Sequence, residues 1–149
     1  MEIRRFKEQD AQMVRDLILV SFYEYVAPSC RPEGIKEFER FQSKEALINR
    51  AKVGHIFVAE EKEKIVGVVA MKDGQICSLF VDKAFHRQGI AKALLKKMEQ
   101  LVRKQGFSKM KIRSSLYAIP FYQAQGYKKS TGIIKSKGIA YQPVIKTLK

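Results

Sequence analysis

The stretch FVDKAFHRQGIAKALLKKM, residues 80–98, decides how this chain is read. Its first residues end an apolar, strand-like run. Gly89 breaks that pattern, and Ile90, Leu94, Leu95 and Met98 then recur at the spacing of one helix face. A strand that passes through a glycine loop into a helix leaves unpaired N–H groups at the helix start, where the positive end of the helix dipole favours an anion. Arg87, Lys92 and Lys96 add side-chain charge around the same point. The pattern also fits a plain strand-to-helix turn whose lysines only face solvent, so by itself it names no ligand.

Working upstream from this stretch, the apolar period is that of strands. HIFVAEE (55–61), IVGVVAM (65–71) and QICSLFV (75–81) are separated by the turns KEK and KDG, which predicts an antiparallel meander. Before it, EIRRF is a short strand, and Asp10 is placed to cap a helix with Met13, Val14, Leu17, Ile18, Ser21, Phe22 and Tyr25 on its inner face. Pro28 and Pro32 interrupt that helix. EGIKEFERF and SKEALINRAK then read as two short helices, the second capped by Ser43. Downstream, the helix after Gly89 continues through Leu101 and Val102 and stops at Gly106. The strand KMKIRS follows, so strand, helix and strand predict a right-handed crossover between parallel strands. YAIPFYQAQ is a short helix that tolerates Pro120 in its first turn and ends at Gly126. The last residues, 127–149, read as edge strands around a turn at Lys137-Gly138, with Pro143 taken as a mark of the edge.

Composition narrows the functional classes. A chain of 149 residues with 46% hydrophobic and 10% aromatic residues is one globular domain, 1–149, with no repeat or linker. No apolar run reaches a membrane span of roughly 20 residues, and MEIRRFKEQD lacks a signal-peptide core, so the expectation is a soluble, cytoplasmic protein with no membrane partner. Cys30 and Cys77 make no disulfide framework, and no Cys/His cluster has metal-ligand spacing. The net charge of +14, from 29 Lys+Arg against 15 Asp+Glu, attracts polyanions. Its dispersal along the chain and the lack of a nucleic-acid motif keep nucleic acid an alternative, not the favoured partner.

Among phosphate-binding devices, the dinucleotide fingerprint and the P-loop are excluded: no Gly-x-Gly and no Gly-Lys-Ser/Thr occurs. HRQGIAKALL (86–95) instead resembles the acetyl-CoA loop of the GNAT superfamily of N-acetyltransferases, Arg/Gln-x-x-Gly-x-Gly/Ala. Gly89 and Ala91 match, while His86 stands where Arg or Gln is usual. A second stretch, SSLYAIPFYQAQGY (114–127), is similar to the family motif Asn-x-x-Ala-x-x-Phe-Tyr-x-x-x-Gly-Phe/Tyr. Ala118, Phe121, Tyr122, Gly126 and Tyr127 fall in place, and Ser115 replaces Asn.

The resemblance implies an α/β (α+β) fold: a mixed, mostly antiparallel sheet of about six to seven strands, flanked by four to five helices, with one parallel crossover. It implies acetyl-CoA as co-substrate, its pyrophosphate on the amides of Arg87, Gln88, Gly89, Ile90, Ala91 and Lys92. Its pantetheine arm would pair like an added strand with Leu79, Phe80 and Val81. Ser115, Ala118 and Phe121 complete the implied cofactor set. The implied reaction is acetyl transfer to a primary amine, with a backbone N–H near Val81 aimed at the acetyl oxygen and Tyr122 as general acid. An amine with a pKa of about 10.4 must lose a proton before attack. The positions that hold a base in several family members are Gln75 and Cys77 here, and Cys77 is expected to be a small buried strand residue. His55, Glu60 or a water chain are alternatives, although His55 fits a strand start and Glu60 a solvated turn. Phe22, Tyr25, Phe38, Phe41 and Tyr141 are candidates for the acceptor pocket, with core packing as the alternative for each. Glu33, Glu37, Glu39 and Glu45 could attract an amine or simply form a helix's solvent face. A CoA-binding sensor without turnover, a basic nucleic-acid or ribosome-binding module, and a homodimer stay open.

Overall fold

The computed structural model describes residues 1–148. Strand β1 (Glu2–Arg5) leads to helices α1 (Ala11–Tyr25), α2 (Pro32–Phe41) and α3 (Lys44–Val53). The meander β2 (His55–Glu61), β3 (Lys64–Lys72) and β4 (Gln75–Val81) follows, then α4 (Ile90–Lys104), β5 (Lys109–Ser115) and α5 (Ile119–Ala124). The chain ends with β6 (Lys128–Lys129), β7 (Ile134–Ser136) and β8 (Ile139–Thr147). All eight strands form one sheet in the order β1-β2-β3-β4-β5-β8-β6, with β7 also on β8. Only β4 and β5 pair in parallel. The class is the expected one, and the short β6 and β7 bring the strand count to eight.

The meander follows from its turns. Lys62 and Glu63 have φ of 49° and 66°, and Asp73 and Gly74 have 51° and 75°. Two successive left-handed residues give the twist that matches antiparallel strands. The same device, Lys137 and Gly138 at 50° and 81°, joins β7 to β8. A Cβ added to Gly34 on α2 would lie 2.6 Å from the Gly138 carbonyl, which also accepts the Arg31 N–H at 2.9 Å. Glycine at both positions thus lets α2 close on this hairpin.

Alternation along the strands divides the core. Val69, Met71, Ile76, Met110, Ile112 and Val144 pack with Leu94, Leu95 and Met98 of α4 on one face. Ile56, Val58, Val68 and Ala70 pack with Val14, Leu17 and Ile18 of α1 and Leu47 of α3 on the other. The crossover through α4 places that helix against β3 and β4, its N-terminus at the end where β4 and β5 separate.

Three local expectations are corrected. Asp10 does not cap α1 with its side chain. Its carboxylate accepts the Lys7 N–H at 2.7 Å and two hydrogen bonds from Arg4 at 2.8 and 3.1 Å. Burial opposes its charge, but these bonds prevail and hold the carboxyl below its ordinary range. Met13 is 46% exposed, because Ala11 and Val14 take the buried positions of that turn. Pro143 does not mark an edge: β8 lies between β5 and β6. Its carbonyl accepts the Ser130 N–H on the side of the break between β6 and β7, and its missing donor falls at that gap. Ser43 does cap α3, accepting the Ala46 N–H at 3.1 Å.

Helix α4 is fixed to the C-terminal strands by one buried carboxylate. Glu99, 4% exposed, accepts the Tyr127 O–H at 2.7 Å and faces Lys146 Nζ at 3.2 Å. Removing one partner leaves a buried charge short of a donor. Tyr127→Phe is therefore expected to lower stability by about 1–3 kcal/mol, read as a lower urea midpoint at unchanged slope. An unchanged midpoint would show that the carboxylate does not need this donor.

Candidate active site

The site begins where the β4–β5 ladder stops. The two strands pair only at Gln75–Lys111 and Ile76–Ile112. Beyond those pairs β4 keeps its register on β3, Leu79 opposite Val69 and Val81 opposite Gly67. Successive residues of a strand aim their backbone groups at opposite edges. Since the Asp82 N–H is bound to the Val66 carbonyl on β3, the N–H groups of Leu79 and Val81 face the edge that β5 has left.

The loop that follows delivers a second set of donors to the same place. Arg87 and Gly89 have φ of 63° and 81°, and Gly89 is the N-cap of α4 with no side chain capping the helix. The first helical bond runs from the Ala93 N–H to the Gly89 carbonyl, so the N–H groups of Ile90, Ala91 and Lys92 have no helical acceptor. A Cβ added at Gly89 would meet nothing within 4 Å; glycine is required there for its backbone conformation, and the approach to the amides is open. His86 ties this loop to the strand. Its Nε2 donates to the Val81 carbonyl at 2.8 Å.

These donors share a cavity of about 840 Å³. Leu79, Phe80 and Val81 form one wall, and Arg87, Gly89, Ile90, Ala91 and Lys92 another. Ser115, Ala118, Phe121 and Tyr122 form a third. Of the residues expected from sequence to hold the cofactor, only Gln88 is not in the lining. Tyr122 is 5% exposed, with its ring edge-on to Phe121 and Tyr127 at 5.3 and 5.8 Å. Desolvation pushes its phenol well above the ordinary range, so the hydroxyl is a donor at any physiological pH.

Sequence reasoning missed part of the lining. Ser21, Val26, Lys83, Phe85, His86, Tyr117 and Gln125 also reach the cavity. Tyr25, expected at an acceptor pocket, stacks on Tyr117 at 4.5 Å and lies 5.8 Å from His86. Lys83 is held by Glu24 of α1 at 2.6 Å. The exposed Tyr117, directly before the Ala118 motif position, was the one local signal for this aromatic wall.

No carboxylate lines the cavity among the described residues, and His55, Glu60 and the two positions where family members hold a base, Gln75 and Cys77, stand elsewhere. His55 faces Gln105 at 2.9 Å, at the C-terminal end of α4 and so at the opposite end from the cavity. Glu60 is ion-paired to Arg4 at 2.6 Å. Gln75 lies at the closed end of the β4–β5 split, opposite Lys111. Cys77 is exposed, not buried as expected, because β4 slips register at Ala70/Met71 and turns it outward. Partial desolvation raises its thiol despite Arg50 and Arg113 nearby. Of the other acceptor candidates, Phe22 is fully buried and stacked on Phe38 at 3.9 Å, and Phe41 lies exposed beneath Arg50.

A strand, a glycine-started helix and an open strand edge that converge on one cavity define a site for an extended ligand with an anionic end. The family model for the acetyltransferase (GNAT) domain matches residues 26–148, and the chain belongs to that family. Human N-acetyltransferase 8 is 39% identical over 87 residues, covering 50% of this chain and 38% of that protein; human N-acetyltransferase 8B is 38% identical over 87 residues with the same coverage. The chain thus matches well under half the length of these curated relatives. Among solved structures, a GCN5-related N-acetyltransferase from Rhodopseudomonas palustris superposes with a TM-score of 0.84 at 18% identity, covering 99% of this chain and 95% of that one. PaiA N-acetyltransferase from Thermoplasma acidophilum, solved with coenzyme A, gives 0.83 at 19% identity over 98% of both chains. At those identities the structural likeness establishes the fold.

The His86 tie generates a direct expectation. His86→Phe keeps a ring in place and leaves the Val81 carbonyl without its donor. A loss of about 1.4 kcal/mol should raise hydrogen exchange of the loop amides, residues 83–89, about tenfold while the α4 interior is unchanged. Exchange equal to wild type would remove His86 from any role in holding the loop.

Proposed function

We propose that the chain is an acetyl-CoA-dependent N-acetyltransferase that transfers the acetyl group directly to a primary amine. One observation carries this: the β4 edge at Leu79 and Val81, the uncapped start of α4 and Tyr122 all line a single cavity. Acetyl-CoA supplies the activated acyl group as a thioester. The amides from Ile90 to Lys92, with Arg87 and Lys92 beside them, suit its pyrophosphate. The edge of β4 suits its pantetheine amides, as an added strand would. A backbone N–H near Val81 suits the negative charge that develops on the acetyl oxygen.

Tyr122 donates its O–H toward the departing sulfur. Its phenol is held far above a thiol's ordinary pKa of about 8.5, so complete proton transfer is uphill. Tyr122 therefore stabilises the departing thiolate by a hydrogen bond and keeps its own proton; CoA leaves as the thiolate and takes its proton from water. With no carboxylate in the described lining, the attacking amine gives its proton to water. The fraction of neutral amine rises about tenfold per pH unit below a pKa of about 10.4, and kcat/KM should rise with it from pH 7 to 9. A plateau beginning near pH 7 would instead reveal a protein base.

A CoA sensor without turnover is the second reading, favoured by that same lack of a carboxylate. Saturating acetyl-CoA raises the melting temperature under either reading. Release of free CoA on addition of amines separates them: an amine-dependent rate above the hydrolysis background supports transfer, and its absence across primary amines of all charge types supports the sensor. In the enzyme, Tyr122→Phe is expected to lower kcat roughly a hundredfold with acetyl-CoA affinity unchanged. Unchanged turnover would remove Tyr122 from the chemistry.

A further inference from the structure

The face of β5 and β8 that α4 leaves uncovered carries a second cleft, of about 380 Å³. Met110 and Ile112 point to α4, so Lys111 and Arg113, which alternate with them, point the other way, beside Ile145 and Pro143 of β8. Arg113 is the first β5 residue beyond the last β4–β5 pair, and two residues on, Ser115 lines the cofactor cavity. The cleft therefore adjoins the split from the side opposite α4. The β7 residue Ile134 closes it, on a hairpin that α2 anchors through the Arg31–Gly138 hydrogen bond.

The charge of this face has no internal answer. Lys111 and Arg113 line the cleft, and Arg50 of α3, Lys72 and Arg113 all stand near the Cys77 thiol. Among the described residues none of these four cations makes an ion pair with a carboxylate. Arg113 instead stacks over Tyr141 at 5.4 Å. Arg50 gives hydrogen bonds to the Phe41 carbonyl and to Gln42 at 2.6 and 3.2 Å, and its Nε is buried with no partner. Of the α2 glutamates, none lines the cleft; Glu33 pairs with Arg31 and Glu37 with Arg40, and Glu39 accepts the Tyr23 O–H. An amine with no other charge would meet a repulsive field here.

On the reading that the chain is an N-acetyltransferase, we propose that its acceptor is a small amine carrying an oxyanion, a carboxylate or phosphate ester, which Arg113 and Lys111 hold in this cleft while the amine reaches the open edge of β4. The cleft volume suits a small molecule. Arginine is suited to such a group by its paired, planar donors.

The test uses isotopically labelled protein saturated with CoA and followed by NMR. Glycine, 4-aminobutyrate and 6-aminohexanoate are titrated against their carboxamides, and O-phosphoethanolamine against ethanolamine. The oxyanion probes are expected to bind at least tenfold tighter than their neutral partners and to shift the Arg113 Nε–H signal, the two series showing whether carboxylate or phosphate is preferred. Arg113→Gln, and separately Lys111→Gln, should each remove about tenfold of that preference with CoA affinity intact. Both side chains are exposed, so folding is not at stake. Equal binding of the neutral partners, no binding of any probe, or a preference that survives both substitutions would overturn the proposal and leave acetyl transfer standing. Failure of CoA itself to bind would overturn the acetyltransferase reading beneath it.

Discussion

Everything in this site depends on the point at which β4 and β5 stop pairing. Two register pairs hold the strands together, and after Ile76 and Ile112 they diverge while β4 stays bonded to β3. Buried backbone donors without partners are costly, so an open strand edge in the middle of a sheet is an unusual expense for a fold. It persists because the flanking elements are fixed independently: β4 by its ladder on β3, β5 by a seven-residue ladder on β8, and α4 by its apolar face and the Glu99 contacts.

The gap also orders the electrostatics. On the α4 side, the helix start and its flanking cations favour an anion, and the donors are main-chain groups whose chemistry tolerates side-chain change. His86 shows the consequence. Where the family pattern has Arg or Gln, a histidine fixes the loop by a bond to Val81 and leaves the amides free. On the other side, Lys111 and Arg113 place positive charge that nothing in the described chain neutralises. Part of the +14 net charge is thus arranged on both faces of one opening, not spread as a uniform solubilising field.

What was legible in the sequence was local. Gly89 and Gly106 bounded α4, Ser43 capped α3, and the turn at Lys137-Gly138 stood as expected because backbone conformation there is set by the residues themselves. The cavity walls were legible only through the two family-like motifs. Features set by distant partners were not. Asp10 looked like a cap, but Arg4 competes for its carboxylate. Pro143 looked like an edge residue, yet it fits an inner strand where the facing ladder is broken. Cys77 looked buried until the β4 bulge turned it outward, and His55 and Glu60 were removed from consideration by contacts about fifty residues away in sequence.

The central claim is that main-chain donors at the split, not side chains, hold the cofactor. Amide hydrogen exchange with and without saturating acetyl-CoA tests it at single-residue resolution. The account predicts protection concentrated at Leu79, Val81, Ile90, Ala91 and Lys92, with the start of α4 and the open edge of β4 slowed together. Protection confined to other segments, or none at these five amides under saturation, would contradict it.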